Sequence, residues 1–411
     1  MNFNSKFWLK FSLLNLLIVA LLGLLMRYKI GFEFPYFNQK SLQNSHSHFA
    51  FSGWISHTLM VLMIAYLNKK SNSPIDLKKY NFILAANLIC SYGMLVSFIL
   101  QGYGAFSIAF SSASIFVSYA FGYSYIKQLK QLPSDDLSKK WFAAAIFFNI
   151  ISSLGTFFLV YMLITRTIHE EEYLASIFYY LHFQYNGWFF FASMGLLYGF
   201  LNLKKADHSF FDTTFKLFFF SCLPAYFLST LWANLPFWVY VLTVIAAFLQ
   251  VVAWYTFLII IVKTKKEYLT NFPYFLRYIL LFVAFAVSVK VVLQLVSTIP
   301  SVSKLAFGFR PIVIAYLHLV LLAIISLFLL FYIYAHHLIH SNKRIKLGVL
   351  IFSVGVLLNE IILAVQGIAS FSYTVIPYVN ELLLGAAIVL VTGIGLTAFY
   401  SIKKVKIAIN L

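Results

Sequence analysis

The chain predicts an all-α, polytopic membrane protein with twelve transmembrane helices. Composition, the recurrence of long apolar runs and the placement of its basic residues carry that prediction. The sequence is 62% hydrophobic and only 10% charged. A soluble chain of 411 residues needs far more charge to cover its surface. A spanning helix takes about 20 apolar residues, and such runs fall at 7–26, 47–67, 81–101, 104–126, 141–164, 173–202, 214–233, 236–262, 273–298, 311–335, 346–367 and 379–401. The first run is too long, and lacks the small-residue cleavage site, to be a removed signal peptide. The longest loop, at 27–45, is too short for a core of its own. Residues 1–411 therefore read as a single integral membrane domain.

The basic residues set the orientation. Of the 30 Lys and Arg, only Arg27, Lys29, Lys40, Arg166, Lys304 and Arg310 fall on one side of the alternating spans. Lys290 lies inside a span, and all the others fall on the opposite side. The positive-inside rule places that second side, with both termini, in the cytoplasm of a multi-pass plasma (inner) membrane protein. The net charge of +18 is thus a topology signal. It points to membrane lipid as the partner of the basic loops and calls for no nucleic acid. Cys90 and Cys222 both lie in apolar runs and read as small core residues, with no disulfide frame or thiolate metal site. No internal repeat stands out.

Strongly polar side chains at bilayer depth are costly and usually functional. Here they include His57, Asn87, Asn149, His182, Gln184, Asn186, Gln250, Lys290, Gln294, His318, Asn359 and Glu360, with His46 and His48 near the outer end of the second span. Neutral imidazole ligates haem iron and copper. His48, His182 and His318 occur on the second, sixth and tenth spans, all entering from outside, and all fall in the outer part of the bilayer. His46 and His57 share a helix face and His48 does not. The bland readings are a hydrogen-bonded structural histidine for each of these, a structural pair for Lys290 and Glu360, interfacial positions for His336, His337 and His340, and solvated loops for His169 and His208. Glu170, Glu171 and Glu172 read as a solvated helix start.

The pattern resembles subunit I of the haem-copper oxidase superfamily, nearest the C-type cytochrome oxidase and nitric oxide reductase branch. His48 in HSHFAF stands where that family carries a low-spin haem ligand, with His46 as the fallback. The Tyr179-Tyr180-Leu181-His182 segment is similar to the one bearing a copper or iron ligand. In Tyr316-Leu317-His318, His318 matches the second low-spin haem ligand, and Tyr316 stands where the high-spin haem ligand is expected. The seventh span, FFFSCLPAYFLSTLW, lacks the family's His-His pair. The resemblance therefore implies a low-spin haem b on His48 and His318, used for one-electron transfer. It implies a degenerate binuclear centre, with His182 as a remnant metal ligand and no intact copper or non-haem iron site. Oxidase or nitric oxide reductase activity would need that second, open site. Without a CxxCH motif, electrons would come from a partner cytochrome or quinol. The competing readings are a cofactor-free secondary transporter with Lys290, Glu360 and His57 carrying protons, and an assembly or haem-handling factor.

Overall fold

The computed structural model describes residues 3–201, 208–339 and 342–403. Among the described residues every regular element is helical. Ten helices among the described residues are long and apolar enough to cross a membrane: Ser5–Gly31, Gln39–Lys70, Leu77–Gln101, Ala105–Leu129, Ser138–Thr165, Phe237–Thr270, Tyr274–Val296, Arg310–Ala335, Lys343–Phe371 and Val379–Ile402. Two further helical stretches lie where the sixth and seventh runs were predicted. Residues 170–200 form one unbroken helical stretch made of Glu170–His182, Phe183–Phe189 and Phe190–Phe200. His208–Cys222 is followed at once by the 3-10 turn Pro224–Thr230, because a proline cannot continue the helical bonding. Helix starts carry side-chain caps where the sequence offers them. Asn38 accepts from the Lys40 and Ser41 amides, Asp76 from Lys79 and Asn342 from Ile345.

The chain groups into two compact units. One holds Met1–Tyr125 and Ser326–Leu411, the other Ile126–Ile325. In the first, Gln39–Lys70 packs on Ser5–Gly31 and Leu77–Gln101, and Val379–Lys403 packs on Ser5–Gly31 and Lys343–Phe371. In the second, Ser138–Thr165 packs along residues 170–200, and Phe237–Thr270 packs on His208–Cys222 and Tyr274–Val296. Lys204, Lys205, Lys404, Lys406 and His340 lie outside the described residues.

Three helices differ from the rest in being buried all round over part of their length. Residues 57–64, 182–196 and 323–334 are buried without a break, and 89% of the apolar window of Gln39–Lys70 is buried, against 50% or less for the other nine spans. A helix apolar or buried on every side belongs to the interior rather than the lipid face. These same three helices carry His48, His182 and His318. In each, a π-helical segment follows the histidine: Ala50–Ser56, Phe183–Phe189 and Leu319–Ser326.

That shared feature exposes a repeat that inspection of the sequence missed. His48-Phe49 and His182-Phe183 are each followed by Gly-Trp at five and six residues after the histidine, namely Gly53-Trp54 and Gly187-Trp188. The same offset relates Asn15 to Asn149 on the helices before them. A π segment widens the helix and redirects carbonyls, and in the first unit buried amide side chains answer this. Asn15, fully buried, donates to the Gly53 carbonyl at 2.6 Å and accepts from the Tyr92 hydroxyl at 2.7 Å. Asn87 donates to the Ser52 carbonyl at 3.2 Å. In the second unit Gln184 donates to Asn149 at 2.9 Å and to Ser152 at 2.7 Å. The third π segment ends at Ser326, whose hydroxyl accepts from the Trp54 indole at 2.8 Å. Replacing Asn15 by leucine keeps the volume but strands the Gly53 carbonyl and the Tyr92 hydroxyl. Thermal unfolding in detergent is expected to show a loss of about 2 kcal/mol.

Candidate functional site

The candidate ligands divide between the units. In the first, His46 and His57 both turn toward the opening helix Ser5–Gly31. His46 Nδ1 donates to the Val19 carbonyl at 3.1 Å, beside Gly23. His57, fully buried, meets the Trp8 ring edge-on at 5.8 Å, and Asn87 lies 3.4 Å from its Nδ1. His48 points elsewhere. Its ring stacks on Phe98 with centroids 4.3 Å apart, and its Nε2 faces the Tyr103 hydroxyl at 3.3 Å.

In the second unit, His318 Nδ1 donates to the Ile314 carbonyl at 2.8 Å, one turn back in its own helix. In a neutral ring this bond places the lone pair on Nε2. A metal-ligating histidine is oriented in this way, by giving its other ring N–H to a carbonyl or carboxylate. His46 shares the pattern. Tyr316, two residues earlier, sits against Tyr185 with ring centroids 6.1 Å apart, and its hydroxyl is in polar contact with Tyr185 and Asn186.

His182 is held differently. Its Nε2–H donates to the Cys222 carbonyl at 2.9 Å, so Nδ1 carries the lone pair, and that lone pair accepts from the Asn186 amide at 3.1 Å. The rings of Phe183, Tyr185 and Tyr226 enclose it. The broken seventh helix explains the first bond. In the turn that Pro224 opens, the Tyr226 N–H bonds the Leu223 carbonyl at 3.2 Å and so does not serve the Cys222 carbonyl four residues before it. Both nitrogens of His182 are thus engaged, which does not fit a metal ligand. The arrangement is that of a structural histidine tying residues 170–200 to the helix His208–Cys222. Among the described residues, no group of three or more His, Cys, Asp or Glu converges to hold a metal ion. His182→Ala is expected to lower stability by about 2–3 kcal/mol, since it strands a buried carbonyl and amide, and to leave metal content unchanged. Unfolding midpoints and elemental analysis of the purified variant check both.

Behind His182 lies a small chamber lined by Asn186, Cys222, Gln250, Lys290 and phenylalanines that include Phe190. Lys290, 6% exposed, donates to Gln294 at 3.1 Å and lies 5.8 Å from the Phe190 ring centroid. Glu360 accepts from Asn359 at 3.1 Å. The partners of both groups are thus amides. Asp212 forms ion pairs with Lys140 and Lys216. Cys90 and Cys222 are both free and buried, and the Cys222 thiol donates weakly to the Asn186 carbonyl at 3.8 Å. Glu170, Glu171 and Glu172 occupy the first turn of their helix, where the helix dipole favours acids. From sequence, Asn186 is only a polar residue at depth, whereas Lys290 reads as a partner of Glu360 or a proton carrier. The link from His182 through Asn186 to Tyr316 joins two helices far apart in the chain and leaves no local pattern.

Comparison with known protein families and with curated proteins finds no match to this chain.

Proposed function

We propose that the chain is a twelve-span haem protein of the plasma (inner) membrane, similar to subunit I of the haem-copper oxidases, with low-spin haem b on His48 and His318. Its activity is one-electron transfer between a donor, cytochrome or quinol, and an acceptor. The observation that carries this reading is the histidine heading a π segment on three all-round-buried helices, since π segments concentrate at functional sites. The orientation of His318 by the Ile314 carbonyl supports it as a ligand. Residues 170–200 and 208–230 count as two further spans. An even number of crossings then keeps both termini on the basic side, which is the cytoplasmic one.

His48 and His318 would hold the haem, which would supply reversible one-electron chemistry rather than gas reduction. The protein's part would be to hold and orient the two imidazoles. The chain's own residues do not complete a gas-reducing centre. His182 is tied to Asn186 and Cys222, Tyr316 replaces the expected histidine, and Lys290 places a cation in the adjoining chamber.

The test is an optical spectrum of the purified protein, oxidised and dithionite-reduced, with haem, copper and iron quantified. Sharp low-spin b-type bands at about one haem per chain, without copper, are expected. Two haems, or one haem with copper, would restore a gas-reducing centre and call for an oxidase or nitric oxide reductase assay. A colourless protein made with ample haem would overturn the reading in favour of a cofactor-free transporter.

A further inference from the structure

We infer that the second unit holds a binding site for one water molecule, seated between the Lys290 ammonium, Asn186 Oδ1 and the Gln250 amide. The site does not depend on whether haem binds.

The orientation of Asn186 follows from its neighbours. The Cys222 carbonyl takes the proton of His182 Nε2, so His182 Nδ1 is an acceptor and Asn186 must offer its nitrogen. Its oxygen then lies on the far side of the amide. Asn186 is 5% exposed, and Oδ1 has no hydrogen-bond partner in the protein. The same side chain lines the chamber with Lys290 and Gln250, themselves 6% and 5% exposed. An ammonium has three donors, and a single protein acceptor, Gln294 Oε1, is in hydrogen-bond range of Lys290.

Size and polarity select the occupant. The chamber is too small for an occupant larger than one water. A water accepts from Lys290, donates to Asn186 Oδ1 and directs its second O–H to the Gln250 carbonyl. That gives the water three bonds, the usual number for an internal water, and supplies the missing partner of Asn186 Oδ1. A halide would answer Lys290 but meet the Asn186 lone pairs. A metal cation would meet the ammonium. The water extends the chain Tyr316–Asn186–His182 to Lys290, so the lysine's charge is solvated from within rather than by a carboxylate.

The test is an experimental structure of the full chain at a resolution that shows buried waters, from crystals grown in chloride and in bromide. One peak within hydrogen-bond distance of Lys290 Nζ, Asn186 Oδ1 and the Gln250 amide, without a bromide anomalous signal, is expected. In Lys290→Met or, should that variant not fold, in Gln250→Leu, the peak is expected to disappear while His182 keeps both its bonds. A bromide signal would overturn the water in favour of a halide, and an empty chamber beside other ordered waters would overturn the site itself.

Discussion

His318→Ala is expected to strip the purified protein of its low-spin haem, with haem per chain falling at least tenfold and the sharp reduced bands disappearing. On the proposed reading the imidazole would meet the iron, and the Ile314 carbonyl, 2.8 Å from Nδ1, would keep its proton off the coordinating nitrogen. Even outer partners of a metal ligand are worth 10–100-fold in affinity, so loss of the ligand itself has a larger effect. His48→Ala is expected to do the same, and His46→Ala to leave haem content near the wild-type level, because His46 is turned toward Val19 and Gly23 on the opening helix. Added imidazole separates ligation from folding. It should restore low-spin bands to the His318→Ala protein, which a general packing defect would not allow. Loss of haem in His46→Ala with retention in His48→Ala would move the ligand by two residues. A wild-type spectrum in His318→Ala would remove it from the site.

The membrane class and most helices are legible because hydropathy and length carry them without reference to tertiary structure. The sixth and seventh runs fall short of apolar helix length for identifiable reasons. Gln184, Tyr185 and Asn186 interrupt the hydropathy of 170–200, and Pro224 breaks the regular helix after Cys222. Those interruptions are also the candidate site. Polar groups inside a bilayer persist where the protein uses them, so the stretches least like simple spans carry the Asn186–His182–Cys222 contacts. The π segments are invisible in composition, since Leu319–Ser326 is as apolar as any helix here. Only the Gly-Trp pair after His48 and His182 marks two of them. The His46, His48 and His57 faces followed from helical spacing. The engagement of His182 did not, because the carbonyl that binds it lies 40 residues away.

Gly393→Ala is expected to be among the most destabilising single-methyl additions in the chain, whereas the same change at Gly385 on the same helix is expected to be neutral or mildly stabilising. Helices Lys343–Phe371 and Val379–Lys403 run antiparallel at close range, with Gly348 and Gly355 facing the second helix. A Cβ on Gly393 would fall 2.3 Å from the Phe352 amide nitrogen, 2.7 Å from its Cα and 2.8 Å from the Gly348 carbonyl. All three are backbone atoms, so no side-chain rotation relieves the clash and the helices must separate along their length. Lipid offers no hydrophobic drive to hold them together. Association of spanning helices rests on such close packing at small residues, and overpacking of this kind costs about 1–3 kcal/mol. At Gly385 nothing lies within 4 Å of the added carbon, and alanine's better helix propensity contributes up to about 1 kcal/mol. Unfolding midpoints of the two variants in one detergent should therefore move in opposite directions or differ by several degrees. Equal midpoints would mean that the two helices do not approach as closely as their glycines permit.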